Sequence, residues 1–116
     1  MLRSMYSGIS GLKNFQTKLD VIGNNIANVN TYGFKKGRVT FKDAISQTTM
    51  GASASTDTRG GTNAVQIGLG SSISSIDTID TAGSLQNTSR TLDLGIEGDG
   101  YFIVNDGTND YYTRAG

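Results

Sequence analysis

"LRSMYSGISGLKNFQTKLDVIGNNIANVN", residues Leu2 to Asn30, decides the fold. Its apolar residues recur in steps of three and four: Leu2, Met5, Ile9, Leu12, Phe15, Leu19, Ile22, Ile26 and Val29. That spacing is one face of an α-helix. Two steps of three meet at Leu12, so the stripe drifts round the helix instead of keeping a strict heptad. At 1.5 Å per residue the helix is a rod of roughly 40 Å. Thr31 and Tyr32 then lead to Gly33, a residue suited to closing a helix C-terminus.

At about 100° per residue the far side carries Arg3, Ser10, Lys13, Asn14, Thr17, Val21, Asn24 and Asn28, with Asn25 nearer the stripe's border. Past Lys13 this list holds no charge, although a solvated helix back normally holds many. Asparagine is a mediocre helix former because its amide competes for the backbone. Gly8, Gly11 and Gly23 each cost about 1 kcal/mol in an isolated helix. A plain amphipathic helix with a wet polar back is one reading. The other is a helix enclosed by protein, of coiled-coil type. There the stripe would meet another helix, and Asn24, Asn25 and Asn28 would bond to neighbouring chains. The second accounts for the missing charges. Desolvated ions cost several kcal/mol each, while an amide both donates and accepts.

The texture changes after the helix. Residues 32–64 are expected to be a Ser/Thr/Gly-rich connector, linker-like in composition and able to form a short helix or hairpin. Residues 65–116 are expected to begin a β-rich domain. Val65, Ile67 and Leu69 alternate, as do Leu92, Leu94 and Ile96. "YFIV" and "YYTR" read as strands joined by the turn "NDGTND". Ile73, Ile76 and Ile79 step by three, which suits neither helix nor strand. The fold class is α+β: an assembly helix over 1–31, the connector, and a sheet that stops on a half-begun strand. Such an ending is expected of a fragment, incomplete at its C-terminus.

Ten basic and ten acidic residues give no net charge, which argues against a nucleic-acid partner. No apolar run reaches the roughly 20 residues of a membrane span, and no signal-peptide block opens the chain. Without cysteine or histidine, thiol chemistry and the usual triads have no residues to work with. Glu97 and Asp99 could pair as catalytic carboxylates, but they lie in a Gly-rich turn that favours acids for its own reasons. "GLGSS" and "DLGIEGDG" only echo phosphate and calcium loops. No catalytic residue, metal or cofactor is therefore expected. Bulky apolar residues are few, so a large private core is not expected either.

Two stretches carry a resemblance. "SGISGLKNFQTKLDVIGNNIANVNTYGFKK" resembles the N-terminal signature of bacterial flagellar rod and hook proteins, and "TLDLGIEGDGYFIV" resembles the second signature of that axial family. Between them, "RVTFKDAISQT" and "GGTNAVQIGLGSS" are more similar to hook members than to distal rod members. The resemblance implies a structural subunit, a homo-oligomer in a helical tube that carries torque from motor to filament. Other axial proteins and the export apparatus are the implied partners. The implied location is the flagellar hook or basal body, reached by type III export without a cleaved signal peptide. Phe41 and Ile45 in "FKDAI" match the family's export-gate motif. A different class, a ligand- or carbohydrate-binding β-domain on a helical anchor, is the rival to this reading.

Overall fold

A computed structural model describes residues 1–116. It contains one helix, α1 (Leu2–Ala27), and six strands: β1 (Gly37–Asp43), β2 (Gln47–Met50), β3 (Val65–Ile67), β4 (Ser71–Thr78), β5 (Phe102–Asn105) and β6 (Asp110–Thr113). The strands form three two-stranded sheets, β1 with β4, β2 with β3 and β5 with β6. The α+β class therefore holds. No side chain is fully buried. The chain exposes 9635 Å², where a self-contained globule of its 12.2 kDa would expose about 6,100 Å². A two-stranded sheet is marginal alone, so this chain is held by polar ties more than by a core.

The helix is shorter than its period suggests. It ends at Ala27, and Asn28 to Asn30 form a turn. The last carbonyls of a helix need other donors, and the asparagines supply them. The Asn28 side-chain amide donates to the Asn24 carbonyl (2.8 Å) and to Asn24 Oδ1 (3.1 Å), and Thr31 Oγ1 donates to Asn28 Oδ1 (3.2 Å). Gly33 does not close the helix. It lies in a separate turn with φ +70°.

The chain divides into two units, Met1–Asp20 with Val39–Ile76 and Val21–Arg38 with Asp77–Gly116. In the first, the Ser/Thr/Gly-rich stretch expected to be linker-like is an ordered hairpin. Gln47 faces Ile67, Thr48 faces Gln66 and, past a bulge, Met50 faces Val65. Bridges Ser53–Thr62 and Thr56–Arg59 carry the pairing out to a tip at Asp57 and Thr58. Hydroxyls fasten it: Ser53 Oγ and Thr62 Oγ1 are 2.8 Å apart, and Thr49 donates to the Val65 carbonyl at 3.1 Å. A division at residues 64 and 65 would cut this hairpin. In β4 the step of three becomes intelligible. Alternate residues face opposite sides of a strand, so Ile73 is half-buried and Ile76 is exposed.

In the second unit, β5 and β6 form the expected hairpin, with Phe102 facing Thr113 and Asn105 facing Asp110. Leu92 to Ile96 is not a strand, despite its alternation. A strand exists only with a partner, and no neighbouring backbone supplies one. Arg114 ties the region instead, donating to the carbonyls of Gly98 (2.9 Å) and Gly100 (2.7 Å) with its guanidinium over the Tyr101 ring.

A second tie centres on Asp80. The Tyr101 hydroxyl donates to its carboxylate at 2.7 Å, and Lys35 Nζ stands 3.1 Å from the other oxygen while donating to the Thr81 carbonyl at 2.8 Å. The Tyr101 bond, then the Lys35 ammonium, hold the Asp80 carboxyl below its usual range, and the same bond raises the Tyr101 phenol. A lowered carboxyl stabilises the fold above the unfolded aspartate value of about 3.9, and the gain is lost as pH falls through the folded value. The raised phenol stabilises below about 10, and its gain is lost as pH rises through the folded value. Thermal melts against pH should therefore show a shallower acid limb in Asp80→Asn and a shallower alkaline limb in Tyr101→Phe. Limbs unchanged from the parent would rule the tie out.

Candidate assembly surface

The helix turns its faces the opposite way from an ordinary surface helix. Its half-buried residues are Ser7, Ser10, Gly11, Asn14, Thr17, Val21, Asn25 and Asn28, which are small or polar apart from Val21. The nine stripe residues Leu2, Met5, Ile9, Leu12, Phe15, Leu19, Ile22, Ile26 and Val29 are all exposed, from 39% at Ile22 to 76% at Val29. An amphipathic helix on a globular body presents its apolar face inward. Here the polar face meets the chain's own strands, and the apolar face is left open except where Phe41 meets Phe15.

Specific bonds set this orientation. In the first unit, Asn14 Nδ2 donates to the Ser71 carbonyl and hydroxyl, both at 2.8 Å. One residue earlier, Gly70 (φ +103°) lies so close to Ser7 and Ser10 that an added Cβ would collide with the Ser10 hydroxyl. In the second unit, Asn25 Nδ2 donates to the Gly37 carbonyl and the Gly37 N–H donates to Asn25 Oδ1, both at 2.9 Å. The side-chain amide mimics a paired strand, meeting both backbone groups of the first residue of β1. These small-residue and amide contacts work through backbone, which is why a scan for apolar periods and charged pairs passes over Ser7, Ser10, Gly70, Ser71 and Gly37.

The sequence-derived sites separate accordingly. Asn25 has both ends of its amide engaged within the chain, each by one bond to Gly37. Asn24, in the last turn of α1, and Asn28, in the turn that follows it, bond to each other at the helix end. The glycines at 8, 11 and 23 have nothing within 4 Å of where a Cβ would stand, so nothing in the chain requires their smallness. Phe41 packs on Phe15 with the rings tilted (centroids 6.0 Å apart, planes at 55°) and Lys18 Nζ 5.8 Å from the Phe41 ring centre. Ile45, between β1 and β2, is 85% exposed. The acidic pair Glu97 and Asp99 is exposed beside a bend. An open cleft of about 420 Å³ in the second unit is lined by Tyr32, Phe34, Leu85, Leu94 and Arg114 among others.

The family described as flagella basal body rod protein matches residues 5–35, the greater part of α1 and the turn beyond it. The flagellar basal-body rod protein FlgG of Bacillus subtilis (strain 168) is 69% identical over 116 residues, all of this chain and 44% of the relative. The flagellar hook protein FlgE of Borreliella burgdorferi is 62% identical over 116 residues, again the whole chain but 26% of the relative. FlgE of Treponema pallidum is 51% identical over the same span, 25% of its length. The chain thus spans less than half the length of these curated relatives. Rod and hook relatives alike extend across the segments that look hook-like, so those segments do not separate the two. Matched from its first residue to its last by both kinds of protein, the chain is similar throughout to a part of the flagellar hook and rod axial proteins, and the findings support their N-terminal part.

Proposed function

We propose that the chain is a structural element of the flagellar axial tube, in the hook or the distal rod, and that α1 packs its exposed stripe against helices of other axial subunits. The carrying observation is the inverted helix. Its polar face is already satisfied by the chain's own backbone, so the apolar face is the one left to pair. Such a role needs geometry and burial, with no reacting group, cofactor or metal. The ligand-binding alternative has no support from the rod and hook relatives. Subunits of the same chain and other axial proteins are the proposed partners. Export through the flagellar type III apparatus, with Phe41 and Ile45 read by its gate, belongs to the same proposal.

This chain has no cysteine, so a thiol introduced into it reports cleanly once any cysteine elsewhere in the full-length protein is replaced by serine. In the full-length protein, Leu19→Cys should react quickly with maleimide as monomer and be strongly protected once assembled. Thr58→Cys at the hairpin tip serves as the comparison. Equal labelling of Leu19→Cys in both states would refute the packing role, and normal secretion of a Phe41→Ala, Ile45→Ala variant would remove the gate assignment.

A further inference from the structure

Met5 stands on the stripe between Leu2 and Ile9, 60% exposed. The chain has no cysteine or tryptophan, and its methionines are Met1, Met5 and Met50. Met1 precedes α1 and Met50 lies in β2. Met5 is therefore the one stripe residue that a mild oxidant can convert. We propose that Met5 is a modification site through which a peroxide-class oxidant decides whether α1 can enter the tube. The proposal rests on the packing role of the stripe given above.

The chemistry is a two-electron oxygen transfer. The thioether sulfur attacks one oxygen of hydrogen peroxide, the O–O bond breaks, and an S–O bond forms. Sulfur is oxidised to the sulfoxide, the peroxide is reduced, and the departing hydroxide takes a proton from the added oxygen through solvent to leave as water. The apolar, flexible side chain becomes a polar acceptor. One turn away on either side stand Leu2 and Ile9, and neither offers a donor. A sulfoxide packed among such residues is buried without a hydrogen bond, which weakens the packing. Packing also shields the sulfur, so the choice is made on the free subunit. A dithiol-dependent sulfoxide reductase reverses it.

The test uses the full-length protein, treated as monomer with hydrogen peroxide. Mass mapping follows Met1, Met5 and Met50, and sedimentation gives the critical concentration for assembly. Oxidised Met5 should raise that concentration about tenfold or more, and reductase treatment should restore it. Met5→Leu, whatever its own critical concentration, should keep that concentration unchanged by peroxide although Met50 still oxidises. Unchanged assembly with Met5 fully converted, or a Met5→Leu protein as sensitive as the parent, would overturn the proposal. A protein with aspartates on the stripe separates the two ideas. If it still assembles, the packing role has failed. If it does not while oxidised Met5 is harmless, only the oxidation site has failed.

Discussion

Aspartate at Leu12 and Leu19 together is expected to abolish assembly of the full-length protein while leaving this chain folded. Both residues are exposed on the stripe, Leu12 at 71% and Leu19 at 66%. Surface changes of that kind move stability by about 0.5 kcal/mol, and aspartate adds less than about 0.7 kcal/mol per site in helix propensity. In a packed tube each copy would carry two desolvated, unpaired carboxylates, at several kcal/mol each. The critical concentration should rise about a thousandfold or beyond. Circular dichroism of the monomer should keep its helical signal, and electron microscopy should show no tubes. Tubes at the parent's concentration would mean that the stripe faces solvent in the assembly, and the proposed role of α1 would fall with it.

What was legible in the sequence follows from what each signal depends on. The period of three and four needs only local geometry, so α1 and its stripe were readable, as was the β5–β6 hairpin with its turn residues. The direction in which the helix faces its own chain was not. That depends on Asn14 finding Ser71 and on Asn25 finding Gly37, contacts between residues far apart in sequence that leave no periodic trace. The question posed by so many amides had a similar answer. At Asn25 the amide meets the chain's own β1. Asn24 and Asn28 remain proposed assembly contacts, now with a local bond to break first. The hairpin at residues 47–67 was open as one possibility for the connector but not fixed, because Ser, Thr and Gly signal flexibility by composition, whereas here paired hydroxyls and a bulged ladder order them. The alternation at Leu92 to Ile96 misled for the converse reason, since a strand pattern carries no information about whether an edge is available.

Replacing Gly33 by alanine is expected to destabilise this chain more than any other single-methyl change at a turn. Gly33 has φ +70°, and an added Cβ would stand 2.8 Å from the Arg114 carbonyl carbon, 2.8 Å from the Ala115 nitrogen and 2.9 Å from the Arg114 Cβ. The left-handed conformation alone costs an L-residue about 1–2 kcal/mol. Two of the three colliding atoms are backbone and cannot rotate away, so the segment at Arg114 must move, at about 1–3 kcal/mol more. Gly107 separates the two costs. It has φ +89° with nothing within 4 Å of the Cβ position, so Gly107→Ala pays for conformation only. Thermal melts should show Gly33→Ala lower than the parent by roughly 10 °C or more and Gly107→Ala by about half as much. The collision also has a direction. Arg114 grips the Gly98 and Gly100 carbonyls and covers Tyr101, which in turn bonds Asp80. A displaced Arg114 loosens Tyr101 and with it the hold on Asp80, so Gly33→Ala should also flatten the acid limb of stability, as Asp80→Asn does. Equal melting of the two alanine variants, with the acid limb intact, would show that the turn after α1 accommodates a side chain and is not the point at which the second unit is fastened.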